Sequence, residues 1–259
     1  MQPKKSLGQN FLMHPATAVR IAKSAGLPPR SHVLEIGPGT GMLTRALLDE
    51  GFRVTAIEMD SELLPHLQEV FSEELKNTAL TLVKGDIRTF DLSTLPKGYS
   101  VVANIPYYIT GEIVRSLLTA KHKPESMTLL VQKEVAVRIA RSEKESILSL
   151  SVKVFGTPSI AFSVPRGAFR PAPKVDSAVL TIQSIRSPFK KPSEEKAFFD
   201  SIHTGFGQKR KRLAKNLEAL YPKERIEKAL VSLELSPNVR AEDLSLSVWF
   251  SILKELSCA

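Results

Sequence analysis

The chain has 259 residues, a formal net charge of +9 and a single cysteine, Cys258. The length holds a full α/β core and a smaller second unit, and one cysteine excludes both a disulfide framework and a thiolate metal cluster. No apolar run reaches membrane-spanning length and the five histidines have no ligand spacing, so a cytoplasmic protein with no membrane, no metal and a polyanionic partner is expected.

The opening stretch from Lys4 to Leu12 has no hydrophobic period. Its mixture of Lys4, Lys5, Gln9, Asn10 and Phe11 reads as an ordered arm. A helix is predicted from Pro15 to near Gly26, since proline suits a first helical turn and glycine a stop. Val33, Leu34 and Ile36 then form a short apolar run of the buried parallel-strand kind, and Met42, Leu43, Ala46 and Leu47 recur one helical turn apart. Between them lie Gly37, Gly39 and Gly41. Glycines accept positive φ and let a ligand touch bare backbone amides. A dinucleotide fingerprint would need glycine where Met42 stands, so pyrophosphate is disfavoured. With Glu35, the pattern Glu-x-Gly-x-Gly-x-Gly looks like the first motif of S-adenosylmethionine-dependent methyltransferases.

Arg53–Glu58 is the second predicted strand. It delivers Glu58 at its carboxyl end, where ligands of doubly wound sheets sit and where a carboxylate accepts both hydroxyls of a ribose. A helix over 60–73 leads to a third strand, 80–86, ending on Asp86. This carboxylate can accept from an adenine amino group while Ile87 packs on the ring. The fourth strand, Tyr99–Asn104, runs into Ile105-Pro106-Tyr107 before Thr110 caps a helix with Ile113, Val114, Leu117 and Leu118 on one face. Asn104 is an amide acceptor and Tyr107 an aromatic plate, a pairing that suits a flat base.

A strand at 126–132, helices from Glu134 and around 146–155, and an antiparallel pair near 157–163 and 176–185 complete a predicted seven-stranded sheet. Between the last two strands the proline-stiffened loop Phe169–Ser177 offers Phe169 as a second stacking plate. Around 187–193 composition shifts to a proline- and lysine-rich linker. Helical periods follow, with Val248, Trp249, Ile252, Leu253 and Leu256 on one face. Lys209, Arg210, Lys211 and Arg212 concentrate positive charge on what reads as a helix face, placed to hold RNA phosphates.

The sequence resembles, over nearly its whole length, the small-subunit ribosomal RNA adenine dimethyltransferases. The resemblance is carried by Leu7-Gly-Gln-Asn-Phe-Leu12, Glu35 to Thr44, Glu58, Gly85-Asp86, Asn104-Ile-Pro-Tyr107, the loop Phe169–Ser177 and the basic stretch before Asn216, all in family order. Ala172 and Ser6 depart from the family's usual residues without touching these contacts. The resemblance implies a Rossmann-like methyltransferase domain over 1–186 and a small all-helical RNA-binding domain over 187–259. It implies S-adenosylmethionine contacts from Asn10, Leu12, Gly37, Gly39, Glu58, Asp86 and Asn104, with Tyr107 and Phe169 sandwiching the target adenine. It also implies a monomer acting on small-subunit ribosomal RNA within an assembling subunit, adding two methyls to N6 of each of two adjacent adenosines near the 3′ end. Erythromycin-resistance methyltransferases share the motifs but modify large-subunit RNA, and the 169–177 loop argues against them. A non-catalytic RNA- or DNA-binding relative is disfavoured by the intact Asn104 and Tyr107, and a nicotinamide oxidoreductase by Met42.

Overall fold

The computed structural model describes residues 3–4 and 7–257. Lys5, Ser6 and Cys258, named above, lie outside the described residues. In chain order a two-residue strand β1 (Phe11–Leu12) and helix α1 (Pro15–Ser24) precede β2 (His32–Ile36), α2 (Met42–Asp49) and β3 (Arg53–Glu58). Next come α3 (Leu64–Val70), α4 (Ser72–Lys76), β4 (Leu80–Lys84), β5 (Ser100–Asn104) and α5 (Thr110–Thr119). They are followed by β6 (Met127–Gln132), α6 (Lys133–Ala140), α7 (Ile147–Lys153), β7 (Thr157–Val164), the short β8 (Phe169–Arg170) and β9 (Ser177–Gln183). The chain ends in α8 (Pro192–Gly205), α9 (Leu213–Leu217), α10 (Lys223–Ser232) and α11 (Leu246–Ser257).

Seven strands form one sheet in the order β4-β3-β2-β5-β6-β9-β7, with β9 antiparallel to both neighbours and the first five parallel. Each central strand is apolar at successive positions because successive side chains point to opposite faces and both faces are covered. Thus Val33, Val102 and Leu130 enter one core with α1, α2 and α3, whereas Leu34, Val101 and Leu129 enter the other with α5, α6 and α7. The second core continues without a break into Phe198, Ile202, Leu213, Trp249 and Ile252 of the C-terminal helices. Among the described residues no helix is long and apolar enough to cross a membrane.

Three local expectations are corrected. The helix expected over 60–73 is two helices. Pro65 sits in the first turn of α3, so helix begins only at Leu64, and Phe71 breaks it with φ −111° and ψ 27°. That break turns the Phe71 ring toward Gly41, whose missing Cβ would stand 2.5 Å from it. Thr110 does not cap α5 but is its first residue, its hydroxyl donating to the Pro106 carbonyl at 3.4 Å. The run Lys209–Arg212 lies in the turn between α8 and α9 rather than on a helix.

Candidate active site

Chain order reverses between β2 and β5, and there the carboxyl ends of the strands part to open a cavity. This is where an open α/β sheet binds its ligands, because neighbouring connections leave to opposite faces. Its floor is the glycine turn. Gly37, Gly39 and Gly41 all have left-handed backbone, with φ of 66°, 59° and 85°. The Gly39 amide donates to Glu58 Oε2 at 3.1 Å, and the Asp60 amide donates to Glu58 Oε1 at 2.8 Å. Each carboxylate oxygen thereby keeps a lone pair for a ligand while its position is fixed by backbone. Glu58 is 5% exposed, and burial pushes its carboxyl up against the opposing pull of those two amides. Glu35 is buried beneath the turn and accepts the Thr44 hydroxyl at 2.7 Å. Burial raises its pKa to about 8 despite that hydrogen bond, so at neutral pH it is a protonated strut and not a charge.

The N-terminal arm makes the roof. Leu12 pairs with Phe169 and Phe11 with Arg170 across β1 and β8. The Phe11 ring lies over the turn, since a Cβ on Gly39 would stand 2.9 Å from it. Asn10 turns its side chain onto the Gly8 carbonyl at 3.1 Å and presents its own carbonyl to Asn104 Nδ2 at 3.0 Å. A carbonyl can only accept, so this contact assigns the Asn104 amide nitrogen to the arm and leaves Oδ1, which receives no donor among the described residues, as an acceptor at the cavity wall.

The expected site residues Asn10, Leu12, Gly37, Gly39, Glu58, Asp86, Asn104 and Tyr107 all line this one cavity. Asp86 is gripped by Arg88, which donates to Oδ1 at 3.0 Å and to Oδ2 at 2.9 Å through Nε. That hydrogen bonding holds the Asp86 carboxyl below its usual range. Tyr107 is anchored by its hydroxyl to Ser177 Oγ at 2.5 Å, which ties the plate to the far end of the 169–177 loop. Phe169 differs from expectation. It is 4% exposed, packs with Leu12, and stands one layer behind the cavity wall rather than on it. Pairing of β8 with β1, which no local pattern announces in two-residue strands, is what draws the ring inward. The exposed aromatic that does line the cavity is Tyr108, 63% exposed, and the Tyr107-Tyr108 doublet was the available signal. Asp60, which the sequence reading also passed over, is 4% exposed and holds the arm.

At the other end of the molecule Asn216 donates to the carbonyls of Gly205 at 2.6 Å and Gln208 at 3.2 Å. It pins the backbone of the turn that projects Lys209, Arg210, Lys211 and Arg212 into solvent. Among the described residues none of these four forms an ion pair, whereas the nearby Lys215 pairs with Glu218 at 2.6 Å.

A left-handed glycine turn that lets a ligand approach the backbone closely, a buried carboxylate at the end of the second parallel strand and an acidic residue beside Ile87 fit a nucleoside that carries no phosphate. Sheet and cavity together define a Rossmann-like, S-adenosylmethionine-dependent methyltransferase. The chain belongs to the ribosomal RNA adenine dimethylase family, which matches residues 1–257. It is 40% identical over 256 residues to the ribosomal RNA small subunit methyltransferase A of Lactococcus lactis, covering 94% of this chain and 86% of that one. To the protein of the same name from Deinococcus radiodurans it is 40% identical over 251 residues, covering 95% and 83%. Among solved structures it resembles a dimethyladenosine transferase from Plasmodium falciparum, with TM-score 0.80, 26% identity and coverage of 95% and 96%. It also resembles the 23S rRNA methyltransferase ErmE, with TM-score 0.78, 29% identity and coverage of 96% and 100%.

Proposed function

We propose that this protein transfers methyl groups from S-adenosylmethionine to N6 of two adjacent adenosines near the 3′ end of small-subunit ribosomal RNA, in the cytoplasm and on an assembling subunit, as a monomer. The observation that carries the reading is the Oδ1 of Asn104, oriented by the Asn10 carbonyl at 3.0 Å beside the Tyr107 plate. Adenine N6 is a poor nucleophile because its lone pair is delocalised into the ring. An acceptor on an amino hydrogen localises that pair toward the incoming methyl, so no carboxylate base is needed and positioning supplies much of the rate. The bound cofactor supplies the electrophilic methyl. Glu58 would hold its ribose, Asp86 and Ile87 its adenine, and the close backbone surface of the glycine turn, with Asn10 and Leu12 above, would pack against the remainder.

The target base leaves its stack and lies against Tyr107. Phe169 joins as the second plate when its ring rotates out from beneath Leu12. Because this mechanism asks of the base's amino group only one side-chain acceptor, Asn104, the base can turn after the first transfer and be methylated again. The 40% identity to small-subunit enzymes over most of the chain favours the small subunit, against 29% for the large-subunit enzyme ErmE. Lys209, Arg210, Lys211 and Arg212 hold RNA phosphates as part of a helical unit from residue 187 onward.

Purified protein incubated with labelled S-adenosylmethionine and undermethylated small subunits, or with large subunits, tests this reading. Label mapping to N6,N6-dimethyladenosine in the small subunit is expected; label in large-subunit RNA would move the target, and a product that stops at monomethyladenosine would overturn the single-acceptor mechanism. Asn104→Ala should keep cofactor binding and lose most of the transfer.

A further inference from the structure

The roof of the cavity is fastened at its N-terminal edge to Asp60, ahead of the pairing of β1 with β8. Asp60 Oδ1 accepts the Lys4 ammonium at 2.7 Å and Oδ2 accepts Gln9 Nε2 at 2.9 Å. Gln9 Oε1 in turn accepts the Lys4 backbone amide at 2.7 Å, so the two residues that meet the carboxylate also hold each other. Asp60 is 4% exposed, and a carboxylate so placed must be satisfied by donors or destabilise the fold. Burial would push its carboxyl up, but the hydrogen bonds from Lys4 and Gln9 outweigh that and hold it below the ordinary range. The same residue gives its backbone amide to Glu58 Oε1 at 2.8 Å. A single residue therefore touches the ribose-reading carboxylate with its main chain and the arm with its side chain. One residue beyond Gln9, the Asn10 carbonyl sets the Asn104 amide.

We infer that Asp60 and Gln9 form a latch that positions the reaction from a distance, holding the arm closed over the cofactor so that the Asn10 carbonyl keeps Asn104 Oδ1 facing the base. Both are positioning residues, acting through Asn104 and touching neither reacting atom. Closure is coupled to cofactor binding, because what orders Glu58 also orders the latch. This inference rests on the methyltransferase reading given above.

The geometry provides its own test by exchange of partners. In Asp60→Asn the new amide nitrogen at the Oδ2 position meets the Gln9 amide nitrogen, donor against donor. In Gln9→Glu two carboxylates face each other. With both changes made, the complementary pair is restored with donor and acceptor reversed and total charge unchanged. Each single variant should lose about tenfold in kcat, the worth of one charge-assisted hydrogen bond, and the double variant should return to within about threefold of the parent. Hydrogen exchange on residues 7–12 reads closure without turnover. Exchange there should quicken in each single variant, slow on adding S-adenosylmethionine to the parent, and recover in the double variant, all measured at a temperature where each variant is folded. Unchanged arm exchange and unchanged kcat in Asp60→Asn would overturn the latch, as would single losses that the double variant fails to recover. Should Asp60→Asn not fold, Gln9→Ala takes its place, with faster arm exchange and lower kcat supporting the latch and parental values overturning it. Parent protein that binds S-adenosylmethionine but leaves small subunits unmethylated would count against the substrate reading and not against the latch, which the exchange data decide.

Discussion

Two buried carboxyls within one cavity serve opposite purposes, and the donors each receives separate them. Glu58 receives two backbone amides that favour its charged form, and its remaining lone pairs are left toward the cavity. Glu58→Ala should weaken S-adenosylmethionine binding by about ten- to hundredfold, since a hydrogen bond to a charged group contributes roughly 1.5–3 kcal/mol. Calorimetry on folded variant protein checks this, and an unchanged affinity would remove Glu58 from the site. Glu35 has a single hydroxyl donor among the described residues, and burial raises its pKa to about 8 in the folded chain. Below the unfolded pKa near 4.5 the carboxyl is protonated in both states. As pH rises the unfolded chain releases the proton first, so stability falls until the folded carboxyl ionises near pH 8 and then levels. Glu35→Gln keeps an acceptor for Thr44 and removes that slope. Urea denaturation across this pH range should show the variant gaining on the parent by on the order of 4 kcal/mol toward pH 8.

Elements position what residues supply. The turn between α8 and α9 is held by Asn216, a buried amide bridging two main-chain carbonyls. Below it Trp249 packs so closely that a Cβ on Gly205 would stand 2.6 Å from the indole. Asn216→Ala leaves both carbonyls without their donor, and a lower thermal midpoint is expected, equivalent to about 1–3 kcal/mol. RNA affinity should fall with it, because the four cations no longer share one backbone frame. An unchanged affinity at a temperature where the variant is folded would show that the turn's shape is irrelevant to RNA.

At the scale of the whole molecule, a nucleoside cavity and a cluster of unpaired cations stand on one continuous core. Replacing Lys209, Arg210, Lys211 and Arg212 with glutamine should flatten the plot of log affinity for small-subunit RNA against log salt by several phosphate equivalents, about 0.9 per contact on duplex RNA if it follows B-DNA. A slope that stays put would leave the four as a solvated surface. The extension of the sheet's core into Phe198, Leu213 and Trp249 explains why a boundary near residue 187 stands out in composition while the packing runs across it.

By itself the sequence determined the seven strands of the large sheet, the glycine turn, the carboxylates at the end of β3 and two residues past β4, and the family, because these depend on local periodicity and on short motifs whose chemistry is carried by adjacent residues. β3 was legible to its end residues, Arg53 and Glu58, since Val54, Ala56 and Ile57 make a short, mostly apolar run bounded by two charges. Tertiary structure alone decided the contacts between residues far apart in the chain. The Asn10 carbonyl meets Asn104 across 94 positions, Lys4 meets Asp60 across 56, and β1 meets β8 and buries Phe169. No window of sequence encodes those pairings, because each depends on how the sheet twists and on which loops its ends bring together. The motifs therefore named the walls of the site, and only the fold showed that the arm is its roof and Asp60 the point where the N-terminal edge of that roof is fastened.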